Sequence, residues 1–147
     1  MITCHNETPI LLVAYGHPET ALKVYSVLQQ VKPQRLYLFY DKPFNEAERL
    51  NMDQIRVIFK ETEWECKIKT CNNKTHTGCN ASMLKAIRRF FSHEAEGIVL
   101  DCHSVPPPAF FAFCSCLLEK YRYDERIGHI SGSSFRKPER KLKSDDS

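Results

Sequence analysis

The sequence has no apolar run near the roughly 20 residues that a membrane-spanning helix needs. Its longest candidates, 10–15 and 98–100, are strand-sized. It shows no secretory leader: the first nine residues are polar and include His5, Asn6 and Glu7. A cytoplasmic location is therefore expected. Charge of one sign is not in excess either. Lys and Arg number 21 against 18 Asp and Glu, a net charge of +3. That is too mild to argue for nucleic acid as a partner. There is no Walker loop and no G-x-G-x-x-G. Paired zinc knuckles are missing too. The seven cysteines are Cys4, Cys66, Cys71, Cys79, Cys102, Cys114 and Cys116. The only close pairs, Cys66 with Cys71 and Cys114 with Cys116, fit the spacing of a structural zinc site poorly. An odd number without a leader argues against a disulfide framework. Buried free thiols that pack as small hydrophobes are expected instead.

What is present is the composition of an ordinary globular domain. The 147 residues are 42% hydrophobic, 11% aromatic and 27% charged, which excludes collagen-like, coiled-coil and wholly disordered classes. The length predicts one domain. A chain of this size buries about 68–70% of its unfolded surface, enough for a core.

Two hydrophobic periods alternate along the chain. Residues 9–15 form a continuous apolar run, as expected of a strand buried on both faces. Gly16-His17-Pro18 breaks it. Residues 19–31 read as a helix with Ala21, Val24, Leu28 and Val31 near helical spacing, capped near Thr20. Residues 35–40 are a second, aromatic strand. Residues 45–60 read as a helix, 65–69 as a weak edge strand and 71–78 as a loop. Residues 80–92 carry Met83, Leu84, Ala86, Ile87, Phe90 and Phe91 on a broad helical face. Residues 97–101 are a further buried strand. A turn with three prolines leads into a helix over 109–121. A last short strand is expected over 126–131. Residues 136–147 look like a solvated, basic tail. Strands separated by helices predict an α/β fold: a Rossmann-like, mostly parallel sheet with helices on both faces.

In such sheets ligands bind at the carboxyl ends of the strands, and that is where the polar residues fall. Asp101 and His103 share a face of an extended chain, so the pair can offer a carboxylate and an imidazole to one cation. Oxygen plus imidazole suits manganese better than magnesium or calcium. The plainer reading is an Asp capping a turn beside an unrelated His. Asp41 ends the second strand and can accept hydrogen bonds from a base or ribose, or simply start a turn before Pro43. Gly16 allows close backbone approach to a ligand, or a tight strand-to-helix turn. Thr77-Gly78-Cys79-Asn80 can present amides to a phosphate, or serve as an ordinary helix start. Cys102 is a conceivable nucleophile without a positioned base.

These pieces, in this order, resemble bacterial glycosyltransferases of the GT-A type. That is the nucleotide-diphospho-sugar transferase superfamily, including hemolysin-like sugar transferases. The matching blocks are Pro9-Ile10-Leu11-Leu12-Val13-Ala14-Tyr15-Gly16-His17-Pro18 and Leu36-Tyr37-Leu38-Phe39-Tyr40-Asp41-Lys42-Pro43. Thr77-Gly78-Cys79-Asn80 follows, then Glu96-Gly97-Ile98-Val99-Leu100-Asp101-Cys102-His103, and last His129-Ile130-Ser131-Gly132. The resemblance covers about 9–135. It implies a donor-binding domain over 1–135 that takes a nucleoside diphosphate sugar, with 136–147 as a tail. Tyr15, Gly16, His17, Asp41, Gly78 and Asn80 are the implied nucleotide-binding positions. Asp101 and His103 are the implied ligands of a divalent cation, manganese. The family's Glu-Asp-Asp stands here as Asp101-Cys102-His103, its Asn-Arg-Pro as Gly16-His17-Pro18, and its Asp-Gly-Pro as Asp41-Lys42-Pro43. A basic residue common after Gly-Cys is Asn80. The acceptor-binding half and the usual base lie beyond the matched region. The implied activity is sugar transfer to an unknown acceptor. The alternative is a truncated or degenerate, non-catalytic nucleotide-sugar-binding or interaction module, with self-association or a completing subunit as its corollary.

Overall fold

A computed structural model describes residues 7–101 and 104–131. Eight elements alternate: β1 (Ile10–Ala14), α1 (Pro18–Val31), β2 (Arg35–Tyr40), α2 (Glu46–Ile58), β3 (Lys67–Asn72), α3 (Cys79–Phe91), β4 (Ile98–Asp101) and α4 (Pro108–Tyr121). The strands form one sheet in the order β3-β2-β1-β4, and every pair is parallel. The expected α/β, Rossmann-like architecture with helices on both faces is the one observed.

The two faces follow from strand alternation. Ile10, Leu12, Ala14, Leu36, Leu38, Tyr40, Ile98 and Leu100 point to one side. There they meet Ala21, Val24 and Leu28 of α1, Met52 and Ile55 of α2, and Phe111 of α4. Leu11, Val13 and Phe39 point to the other side, onto Ala86 and Phe90 of α3. Three helices thus cover one face and one covers the other. Among the described residues no helix is long and apolar enough to cross a membrane.

Local chemistry sets the element ends. α1 starts at Pro18, two residues before the expected Thr20 cap, with His17 at the N-cap position and no side-chain cap. Proline at the first helical position brings a fixed φ and has no N–H to lose. Lys32 closes α1 with a left-handed φ of 54° and donates its N–H to Leu28 O at 2.7 Å, and Pro33 follows. α2 is capped by Asn45, whose Oδ1 accepts from Glu48 N at 2.9 Å. Glu48 Oε1 in turn accepts from Phe44 N at 2.7 Å.

Two expectations change. The edge strand runs to Asn72, into residues read as loop, because Cys71 and Asn72 pair with Phe39 and Tyr40. Tertiary pairing overrides their polarity. Residues 126–131 form no strand. Asp124 Oδ1 accepts from Arg126 N at 3.0 Å, and Asp124 O accepts from Ile127 N at 3.0 Å. This local turn competes with an extended backbone. The thiols differ as well. Cys66, Cys71, Cys114 and Cys116 are free, but the first three are only part-buried and Cys116 is exposed. Partial burial still pushes the Cys114 thiol up to about 11. The expected tail over 136–147 lies outside the described residues.

Gly97 sets the approach of β4 to the sheet. A Cβ there would lie 2.6 Å from Phe90 Cε2 and 2.9 Å from Pro9 O. Pro9 O also accepts from Ile98 N at 3.0 Å, so the backbone cannot retreat without loosening the β1–β4 ladder. Gly97→Ala should destabilise the fold by about 1–3 kcal/mol through overpacking. A lowered urea midpoint with an unchanged slope is the expected reading, and an unshifted midpoint would show that Phe90 yields freely.

Candidate functional site

The strand order reverses beside β1. The chain moves outward through β2 to β3, then α3 carries it back to β4 on the far side of β1. α1 leaves β1 toward one face, whereas α3 lies on the other. In open parallel sheets the crevice at such a reversal, beyond the carboxyl ends of the strands, is the default ligand site.

The register shows what reaches that edge. Val13 pairs with Asp101 and Ala14 with Tyr40. Tyr15 and Asp41 each follow the end of a strand, beside one another. Alternation turns Tyr15, Asp41 and Asp101 toward the α3 side, as it does Val13 and Phe39. Three strands at about 4.8 Å spacing, with Asp41 one residue beyond the Ala14 level and Asp101 one residue short of it, put the two backbone positions about 12 Å apart. Gly16, with φ 101°, turns the chain from β1 into α1. A side chain in that left-handed region costs roughly 1–2 kcal/mol. Gly78, with φ 87°, performs the same turn at the start of α3. Tyr15, Gly16, His17, Asp41, Gly78, Asn80 and Asp101 therefore lie along one edge of the fold. His103 lies outside the described residues, and so does Cys102.

The edge is rich in helix starts without side-chain caps. Neither His17 before α1, Gly78 before α3, nor Pro107 before α4 supplies a capping side chain. Unpaired N–H groups and the positive end of the helix dipole favour an anion in such a place.

Asp41 shows how one of these starts is served. Its Oδ1 accepts from Asn73 Nδ2 at 2.8 Å and Thr77 Oγ1 at 3.4 Å. Its Oδ2 accepts from Thr77 N at 3.3 Å and Gly78 N at 3.2 Å. His76 Nδ1 stands 3.5 Å from the same Oδ2 and 2.8 Å from Lys42 O. The carboxylate thus holds the 73–78 loop and meets the N–H of Gly78, the N-cap residue of α3. The turn-forming reading of Asp41 is the one with visible partners. Asn73 and His76 were not singled out from sequence, and Thr77 only as part of a helix start; nothing in a polar loop marks which residues will meet a strand 32 or more positions away.

Among the described residues no three His, Cys, Asp or Glu side chains converge as a metal cluster. Asp101 is half-buried at the end of β4 and already engaged in an interaction.

A second concavity lies at the other end of the sheet. It is a polar cleft of about 430 Å³ lined by Thr8, Arg35, Glu94, Glu96, Ser115 and Arg122 among others. Its charges are largely spent on one another. Arg35 Nη1 donates to Glu94 Oε1 at 2.8 Å, and Arg122 Nη2 to Glu96 Oε2 at 2.7 Å. Tyr37 Oη donates to Glu94 Oε2 at 2.5 Å. Burial, followed by this bond and the Glu94 charge, pushes the Tyr37 hydroxyl up to about 12. These pairs tie the end of α3 to the start of β2 and the end of α4 to the link before β4. Its fixed ion pairs mark the cleft as a structural seam.

The Asp41 contacts set a pH dependence. Burial works to raise its pKa, but the hydrogen bonds from Asn73, Thr77, Lys42 and Gly78 outweigh it and hold the carboxyl below its ordinary 3.8. A group with a depressed folded pKa contributes stability that is complete above its unfolded value. That contribution falls away as pH drops from about 3.8 through the lower folded pKa. Asp41→Asn should therefore lower stability at pH 7 and leave a smaller further loss between pH 5 and pH 2 than the native chain shows. Equal acid-limb losses in urea titrations of the two proteins would remove Asp41 from this role. Comparison with protein-family models, curated proteins and solved structures finds no match to this chain.

Proposed function

We propose that this chain is a GT-A-like donor-binding domain that takes a nucleoside diphosphate sugar at the carboxyl edge of its sheet for transfer of the sugar to an acceptor. One observation carries the reading. The order reversal at β1 brings Tyr15, Gly16, His17 and Asp101 to one carboxyl edge, at which α1 starts without a side-chain cap. The diphosphate lies against the α1 amides, where an anion is favoured. Gly16 keeps the backbone open to it.

The donor chemistry fits a divalent cation in part. Asp101 ends β4 at the carboxyl edge, and an imidazole from His103 would complete a mixed oxygen and nitrogen set suited to manganese. Asp101 and His103 would hold the ion, which supplies Lewis-acid stabilisation of the diphosphate as it departs from the sugar.

The second reading, a non-catalytic nucleotide-sugar-binding module, is favoured by Asp41. Its carboxylate is committed to Asn73, Thr77 and Gly78, so little acceptor capacity is left for a base. Binding without turnover is what this reading expects.

Calorimetry with uridine diphosphate, with and without manganese, tests both. The expected result is metal-dependent binding that weakens at least about tenfold, or roughly 1.4 kcal/mol, in Asp101→Asn with His103→Ala. Absence of binding to uridine, guanosine, thymidine, cytidine and adenosine diphosphates alike would overturn the donor-site reading. Hydrolysis of a bound nucleotide sugar by the native chain would eliminate the non-catalytic module.

A further inference from the structure

The sheet is covered unequally, and the uncovered part has a distinct chemistry. A four-stranded sheet, with strands about 4.8 Å apart, needs about two helices of 10 Å diameter on each face. The α3 face has one helix, and it packs over β1. Beside it, over β2 and β3, a shallow groove remains. Its floor is Tyr37, Phe39, Cys71 and Phe90.

Both walls of the groove are basic. On β3, Lys67 and Lys69 are exposed and share the side of the sheet occupied by Tyr37, because they pair with Arg35 and Tyr37. On α3, Lys85 reaches toward β3 and donates to Asn73 Oδ1 at 3.0 Å. Arg89, four residues on, and His93 continue that flank and line the groove. Among the described residues, no carboxylate lies within ion-pair distance of Lys67, Lys69 or Arg89. The one acid at the groove's end, Glu94, is occupied by Arg35 and Tyr37.

We infer that this half-covered face docks an acidic amphipathic helix of a partner protein, its apolar row over the part-buried Tyr37 and Cys71 and its carboxylates on the two basic walls. The spacing suits it. Lys85 and Arg89 lie about 6 Å apart along their helix axis, and Lys67 and Lys69 about 6.7 Å apart along their strand. Glutamates four apart on a helix repeat at about 6 Å. The floor disfavours single-stranded nucleic acid, which needs open ring faces for base stacking. Phe39 and Phe90 are buried. The Tyr37 ring meets Phe90 edge-on at 5.0 Å and carries the Lys69 ammonium 5.6 Å from its centre. Strand addition at the β3 edge is disfavoured by the same lysines.

The probe is a synthetic helix of about 18 residues, long enough to be stable, with one leucine row flanked by glutamates. Its fluorescence anisotropy is followed on adding the full chain at low salt. Binding is expected to weaken roughly tenfold in Lys69→Glu with Arg89→Glu, the scale of two reversed surface ion pairs. The matched variant Lys23→Glu with Lys60→Glu, away from the groove, should bind as the native chain does. Circular dichroism shows that both variants are folded. No binding, equal loss in the two double variants, or equal binding of a lysine-flanked control helix would overturn the inference. A thymidine oligonucleotide that binds more tightly than the glutamate helix, and loses binding in the groove variant, would overturn the choice of a polypeptide partner.

Discussion

The fold depends on the burial of β1. Ile10, Leu11, Leu12, Val13 and Ala14 are all 2% exposed or less, and the strand pairs on both sides. Each large side chain of this kind contributes about 1.5–3 kcal/mol by leaving water. A strand buried on both faces requires helices above and below. It also has no free edge, so β2 and β4 are fixed on either side of it. The reversal of strand order, and hence the crevice, is a direct result. The polar Tyr15-Gly16-His17 run cannot be buried with the strand and emerges at its carboxyl end.

The two faces then part company. On one side the apolar demand of Ile10, Leu12, Leu36, Leu38, Ile98 and Leu100 is met by three helices. On the other, Leu11, Val13 and Phe39 are met by one helix, through Ala86 and Phe90 with the part-buried Met83 and Ile87 beside them. Phe90 fits because Gly97 has no Cβ. That close approach fixes α3 over β1 and leaves β2 and β3 to be shielded by Tyr37, Cys71 and the lysine stems. Alkyl stems of lysine cover apolar surface while their charges stay in water. The basic groove is therefore a consequence of where α3 is anchored.

Much of this was legible in the sequence because the signals were periodic. The unbroken apolar run of β1 and the helical spacing of Ala21, Val24, Leu28 and Val31 needed no long-range information. The same holds for the alternation of strands and helices. What failed was set by contacts distant in sequence or by local side-chain bonds. The extension of β3 to Asn72 comes from pairing with Tyr40. The missing strand near Ile127 comes from the Asp124 turn. Proline at the start of α1 outcompeted Thr20 because its ring already has a helical φ. At the candidate site, position was legible and partners were not. Asp41 was placed at this edge from sequence, but Asn73 and Thr77 lie more than 30 residues away, and Thr77, though read as part of a helix start, carries no pattern that pairs it with Asp41.

The commitment of Asp41 bears on how the carboxyl edge divides its work. A helix start over that edge exposes donors that must be met by a cap, by water or by a ligand. At α3 Asp41 meets one of them, Gly78 N, and also takes Thr77 N in the preceding loop. A second anion there would face a carboxylate about one hydrogen-bond length away, which like-charge repulsion opposes. At α1 the N-cap residue is His17, which supplies no side-chain bond, and the first turn carries the carboxylate of Glu19. Each of these two starts thus has one acidic side chain near it: Asp41 bonded at α3, and Glu19 in the first turn of α1. Asp41 thereby ties the end of β2 to the loop before α3, so the position of that helix start depends on one strand-end carboxylate.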